Sequence, residues 1–450
     1  MTDCNPEPLR FSILGPKAVV ADFQGGRLTT DAGALLVREI ADRLGLFDAL
    51  DAAIPDPRHP VFIVHDQRAS LAQRITALAL GSEDLNDHQT LRTDPALQVA
   101  AGRAPDPEST LASPPTPCRL ENRVDREALV RVAGVPVDQF IAAHPEPPEH
   151  LTLDFDATDD PVHGKQERRF FHGYYDHHCF LPLYVFCGDE LLVAYLRPSN
   201  IDASKHARAV LKLLVRRLRA AGPGVRITIR GDSGFCRWRL MRWCDSQGIG
   251  YVLGLAKNPA LQRAARDEIE RAERQFRRSG QPQRVFGAFA DAAGSWDRPR
   301  RVIVKAEHTA RGPNPRFVVA NVPGEPQELY EDVYCQRGEA ENRIKEQQLD
   351  LFADRTSCHR FVANQFRLSL SAAAYVLVQA LRRTALGGTE LARAQVGTIR
   401  LRLFKVAARV VISVRRVVFH LASSYPYRGL FREAYQRVMG GPPCPAAGSG

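Results

Sequence analysis

Between residues 151 and 255 the chain alternates short apolar strands with amphipathic helices, and this order limits its fold more than any other feature. Leu151–Ala157, Phe180–Cys187 and Glu190–Leu196 read as three strands in quick succession. Ala203–Ala221 follows with helical periodicity and stops at Gly222. Val225–Arg230 is then a strand, Phe235–Ser246 a helix and Ile249–Leu255 another strand. Strands that alternate with helices in this way build a mixed α/β sheet with helices on its faces.

The order βββαβαβ, with a long helix still to come, matches the RNase H-like arrangement. Residues 151–260 are the first part of such a core. Residues 261–325 interrupt it: a charged helical segment, Leu261–Arg278, leads into strand-like pieces at Arg284–Phe289, Arg301–Glu307 and Arg316–Val322. Gly294, Gly312, Pro313 and Pro315 separate them, so this stretch is expected to be a β-rich inserted subdomain. Residues 326–385 resume the core with helices over Gln327–Leu351 and Phe361–Arg382.

Residues 1–150 read as a mostly helical domain for end-binding or dimerisation. Thr29, Thr30 and Asp31 offer N-cap chemistry to Ala32–Leu46, and Leu71–Leu80 is a second helix. Pro105, Pro107, Pro114, Pro115 and Pro117 break regular structure, and Pro145–Pro148 suggests a boundary near 150. Residues 386–450 form a basic C-terminal region, in which Arg400–Lys405 and Arg409–His420 alternate like a strand pair and Tyr427–Val438 like a helix.

Charge narrows the partner. The chain carries 61 Lys and Arg against 51 Asp and Glu, a net +10. From Arg382 to Arg437 the only acids are Glu390 and Glu433. Such a surface suits phosphates, although a solvated basic face has the same composition. Nine scattered cysteines without a C-x-x-C pair fit reduced thiols and no structural zinc. Met1–Arg10 is too polar for a signal peptide, and the apolar run Ala372–Leu381 is too short to span a bilayer. A cytoplasmic protein with no membrane contact is the expectation.

Three acidic positions then stand out. Leu153-Asp154-Phe155-Asp156-Ala157-Thr158 puts Asp154 and Asp156 on one face of a strand. Carboxylates inside an apolar strand are costly unless a positive group neutralises them. An exposed strand end would also explain them. Asp232 follows the strand Val225–Arg230 within Arg230-Gly231-Asp232-Ser233-Gly234-Phe235, where it projects from the sheet's end or caps the next helix. Tyr334, Arg337, Glu341, Lys345 and Gln348 share one face of a helix, either around a site or as a solvated stripe. Converging carboxylates of this kind can hold two Mg²⁺ or Mn²⁺ ions about 3.5–4 Å apart for phosphodiester cleavage.

These segments, with His163-Gly164, Phe171-His172-Gly173-Tyr174-Tyr175-Asp176 and Tyr334-Cys335-Gln336-Arg337-Gly338-Glu339-Ala340-Glu341-Asn342, resemble the insertion sequence 1380 family of bacterial DDE transposases. The likeness runs from about Phe23 to Val438 and includes Leu111-Ala112-Ser113 and Arg119-Leu120-Glu121-Asn122. It implies that Asp156, Asp232 and Glu341 are the catalytic metal ligands, with Asp154 in reserve for the first. The gap of 341 − 232 = 109 residues leaves room for the inserted strands. The superfamily's Y-R-E-K signature falls on Tyr334, Arg337 and Glu341, but its last position is Gln348 here. Lys345 lies one turn earlier and could supply the missing charge. Tyr334, Arg337 and Lys345 are thereby expected to bind DNA phosphates.

The resemblance implies an enzyme that binds double-stranded DNA at terminal inverted repeats, frees a 3′-OH and joins it to target DNA, working as a homodimer. The repeat sequence, target preference and hairpin or other excision route stay open. Two alternatives also stay open: an RNase H-like nuclease that cuts without joining, and an inactive, domesticated DNA-binding derivative, which Gln348 keeps in view. His172, His177, His178 and Cys179 match no zinc frame. Trp238 and Trp243 read as packing residues, and Trp296 as a platform for an unpaired base. The N-terminal helices show no sharp recognition-helix signature.

Overall fold

The computed structural model describes residues 8–106 and 108–440. Pro107 and most of the polar opening stretch lie outside them. The chain divides into two compact units, between which it crosses more than once.

One unit gathers Met1–Asp42, Asp56–Arg119 and Ala380–Pro442. The expected N-terminal and C-terminal domains therefore contribute to a single body. Its helix Gln67–Leu80 is almost wholly buried, capped by Asp66, whose carboxylate accepts from the Ala69 N–H at 2.6 Å. Strand Ala408–Ile412 pairs with both Val417–Leu421 and Leu28–Thr29. Lys405 Nζ reaches Asp31 Oδ1 at 2.5 Å. Arg400–Phe404, expected as a strand, is a π-helical turn. Its alternation misleads because Ile399 and Leu403, four apart, are both fully buried, and the Arg400 guanidinium donates to the Ala79 carbonyl at 3.0 Å.

The second unit holds Arg43–Pro55 and Leu120–Gln379. In chain order its main elements are α1 (Arg126–Ala143), β1 (His150–Ala157), β2 (Leu183–Cys187), β3 (Glu190–Tyr195), α2 (Ala207–Ala221), β4 (Arg226–Gly231), α3 (Trp238–Ser246), β5 (Gly250–Leu255), α4 (Arg266–Ser279), β6 (Gln283–Asp291), β7 (Arg300–Thr309), β8 (Arg316–Ala320), α5 (Gly338–Leu351) and α6 (Phe361–Leu381). The strands form one sheet in the order β6-β7-β8-β5-β4-β1-β2-β3, and the short strand Gly312–Pro313 pairs beside β7. β4 runs parallel to both β1 and β5, and the remaining pairs are antiparallel. The inserted strands thus extend the central sheet, because β8 pairs with β5, and make no separate sheet of their own.

Period-two alternation sets the two faces. Leu151, Leu153 and Phe155 of β1 join Ile227, Ile229, Tyr251 and Leu253 in one buried cluster. Helices α1 to α4 pack there through residues such as Phe140, Leu214, Met241 and Ala272. Asp154 and Asp156 must then point to the opposite face. On that face Phe186, paired across from Asp154, meets Tyr375 of α6 at 5.9 Å between ring centres.

The helical run Phe361–Leu386 is long and apolar enough, by length and composition, to cross a membrane, so the run Ala372–Leu381 understated it. It is mostly buried inside the protein, as a core helix would be.

Candidate active site

Strand register brings the first two acids together. In the parallel pair of β1 and β4, Asp154 lies opposite Arg230 and Phe155 opposite Gly231. One step further along both strands are Asp156 and Asp232. The two leave the same end of the sheet, where chain direction alone places side chains in a common crevice.

Asp154 is already committed. The Arg230 guanidinium grips it with two hydrogen bonds of 2.6 Å and donates a third, at 2.8 Å, to the Val333 carbonyl. Asp154 is 2% exposed, and a forked pairing of this kind neutralises a buried carboxylate. Arg230 therefore anchors to the sheet the segment that carries Tyr334 and Arg337. The sequence reading overlooked this residue. Only the strand register, which puts Arg230 beside Asp154, reveals its role.

Asp156 has no such partner. The Ala157 N–H donates to it at 2.8 Å, and the Arg337 guanidinium stands off at 3.6 Å. Its carboxyl is pushed up to about 7, by burial first; Arg337 pulls against this rise, and the charges of Asp232 and Glu341 contribute to it. Asp232 is half-buried and spends one oxygen on the Gly234 N–H at 2.8 Å. The capping and the site-facing readings of Asp232 are thus compatible. Gly254 of β5 lies against it: a Cβ there would meet the Tyr334 hydroxyl at 2.6 Å and the Ser233 nitrogen at 3.0 Å.

The third acid arrives on α5. The expected continuous helix Gln327–Leu351 is instead a short helix Pro326–Glu328, a π-helical turn Leu329–Tyr334, a tight turn Cys335–Arg337 and then α5. Glu341 sits exposed in the first turn of α5, and Arg337 reaches it at 2.8 Å. One guanidinium thereby bridges Asp156 and Glu341. Burial works against that charge, yet Asp156, Tyr334, Glu341 and Asp232 together hold it above the ordinary arginine range. The guanidinium also lies 5.9 Å from the centre of the Tyr334 ring.

Lys345 is exposed one turn beyond Glu341. The Gln348 side chain donates to the Asp159 carbonyl at 3.0 Å, which fastens α5 to the end of β1. Beyond Asp232 opens a pocket of about 290 Å³ lined by Lys257, Arg316, Tyr330 and Tyr334. Lys257 and Arg316 were not singled out in the sequence. They are exposed cations far apart in the chain, and only the pairing of β8 with β5 unites them. Trp243 and Trp296 pack against the core cluster.

A divalent ion fits this site by chemistry. Asp156, Asp232 and Glu341 offer only oxygen donors, the type of ligand a hard divalent ion takes. Among the described residues no three acidic, histidine or cysteine side chains converge closely enough to hold an ion.

Two aspartates thus leave adjacent parallel strand ends, and Arg337 links one of them to a glutamate on a helix. A family model, transposase DDE domain group 1, matches residues 11–441, and the chain belongs to that family. Among solved structures, the piggyBac transposase synaptic complex with hairpin DNA, determined by cryo-EM, is similar at 12% identity and a TM-score of 0.38. The match covers 84% of this chain and 80% of that one. No curated protein matches the chain.

Proposed function

We propose that this protein cuts DNA at the ends of its own mobile element and joins the freed 3′-OH to a target. One observation carries the reading: Asp156 and Asp232 stand one step past the last paired residues of two parallel strands, with Arg337 linking Asp156 to Glu341. Strand order β3-β2-β1-β4-β5, with β1, β4 and β5 parallel, supports an RNase H-like core. The motif resemblance favours the insertion sequence 1380 family within the DDE transposases.

Asp156, Asp232 and Glu341 would hold two Mg²⁺ or Mn²⁺ ions. Bound there, the ions supply Lewis-acid stabilisation of the attacking and leaving oxygens of an in-line displacement. Asp156 is preferred to Asp154 as the first ligand because Arg230 already occupies both Asp154 oxygens. Arg337 releases the carboxylates and takes a phosphate oxygen, for which its planar fork is suited. Tyr334 orients that guanidinium. Lys257, Arg316 and Lys345 take phosphates on either side of the scissile one. Gln348, where the signature has lysine, holds α5 in place through Asp159. Two ends must meet before joining, so a homodimer on DNA is the working form, acting in the cytoplasm.

The test is a pair of assays on double-stranded DNA bearing the terminal repeats that flank the coding sequence. The protein should nick the end in Mg²⁺ or Mn²⁺, stop in chelator, and join a pre-cut 3′-OH end to a plasmid. Asp232→Asn should lower cleavage at least about 10³-fold and leave end binding within roughly twofold. Cleavage without joining would identify a nuclease instead, and cleavage retained by Asp232→Asn would remove it from the site.

A further inference from the structure

The segment 161–180 leaves β1 just past Asp156, and the chemistry proposed above makes no use of it. It folds as a small flap in which Asp160–Pro161 and Phe170–His172 flank the strand His177–Phe180. The flap is tied down beside the site. His177 Nε2 lies 2.8 Å from Asp159 Oδ2. The Gln166 side chain donates to the Thr356 carbonyl at 3.2 Å, and the Glu167 carboxylate accepts from the Phe361 N–H at 3.0 Å. These contacts join it to the end of β1 and to the chain that follows α5.

Its tip is a tight turn. The Tyr175 and Asp176 N–H groups both donate to the His172 carbonyl, at 3.1 and 2.9 Å, and Asp176 adopts the left-handed φ of 58°. There Tyr174 is 85% exposed. The ring is not loose, because it meets Tyr175 edge to face at 5.0 Å. Tyr175 in turn touches His172 at 4.9 Å and stacks near His177 at 6.1 Å. Through His177, which meets Asp159, this ring stack is held to the chain just past Asp156. Lys165 and Arg168 are exposed on the same flap. Arg168 is braced over the Phe361 ring at 5.3 Å.

A supported, water-exposed ring with cations beside it fits a polyanion that also presents flat apolar faces. Trp296, the aromatic expected to serve such a group, is half-buried against the core. We propose that the flap is a second wall of the DNA site and that Tyr174 stacks on an unpaired base next to the scissile phosphate, with Lys165 and Arg168 on the adjoining backbone. The proposal rests on the transposase reading. A base freed from its pair gains a stacking partner at the place where the strand must open for cleavage, so the flap favours opened ends over paired ones.

The experiment uses the full chain carrying Asp232→Asn, so that no cutting intervenes, and two fluorescein-labelled duplexes that differ only in a matched or a mismatched, frayed end. The unaltered flap should bind the frayed end roughly tenfold more tightly, and Tyr174→Ala should bring that preference to within about twofold while matched-end binding stays the same. Tyr174→Trp should keep the preference, which separates ring loss from misfolding. Photocrosslinking from 5-iodouracil in the frayed end should mark Tyr174. Equal preference in Tyr174→Ala, or a crosslink to Trp296 instead, would overturn the flap's role. If the wild-type protein cleaves DNA ends yet shows no preference for frayed ones, only the flap proposal fails. If it neither binds nor cleaves DNA, the transposase reading fails with it.

Discussion

Asp156 is a carboxyl that the fold leaves in deficit. It is 8% exposed, its nearest cation stands at 3.6 Å, and its carboxyl rises from an ordinary 3.8 to about 7. Because the folded state keeps this proton to higher pH than the unfolded chain does, its contribution to stability is greatest at low pH. That contribution is lost as pH rises from about 4 to 7. In chelator at pH 8, Asp156→Asn should therefore raise the thermal midpoint by roughly 2–8 °C, and the gain should shrink towards pH 4. A lower midpoint at pH 8 would contradict the deficit. The neighbouring Asp154 has the direct partner that Asp156 lacks, although burial raises its carboxyl too, against the pull of Arg230. Arg230→Met should cost about 3 kcal/mol in urea denaturation by stranding a buried charge, and adding Asp154→Asn should recover part of it. Strictly additive losses would show that the pair is not coupled. Sequence made both aspartates visible through their place in an apolar strand, yet could not rank them from residues alone. The ranking depends on Arg230, which only strand pairing brings alongside.

At the scale of elements, the strands were legible because period-two alternation follows directly from burial of one face. The long helix after the insertion was less so. Tyr334, Arg337 and Glu341 keep helical spacing, but a π-helical turn and a tight turn precede α5, and Gly338 begins it. Local spacing cannot report such a change of winding, which places Tyr334 over Gly254. That contact gives a test of the strand end. Gly254→Ala should slow cleavage at least about tenfold by displacing Tyr334, since small misplacements at a reacting centre are costly. Tyr334→Phe added to it should not restore the rate, because the Ser233 nitrogen still meets the new methyl at 3.0 Å. Recovery in the double variant would locate the conflict in the hydroxyl alone.

For the whole molecule, composition located charge but not the bodies that carry it. Residues 380–440 fold with the N-terminal segments through the pairing of Ala408–Ile412 with Leu28–Thr29 and the ion pair of Lys405 with Asp31. Partners hundreds of residues apart leave no local signature in the sequence. DNA binding should fall on the order of 10³-fold between roughly 50 and 200 mM salt, and Arg415→Glu with Arg416→Glu should flatten that dependence. An unchanged slope would move the phosphate contacts away from the exposed turn that joins the two C-terminal strands. In the proposed site Asp156, Asp232 and Glu341 together hold two divalent ions. With Fe²⁺ in place of Mg²⁺ and ascorbate present, hydroxyl radicals formed at the bound iron should cut the polypeptide near residues 156, 232 and 341, and excess Mg²⁺ should suppress all three cuts. Cuts clustered elsewhere, or only one of the three, would contradict it.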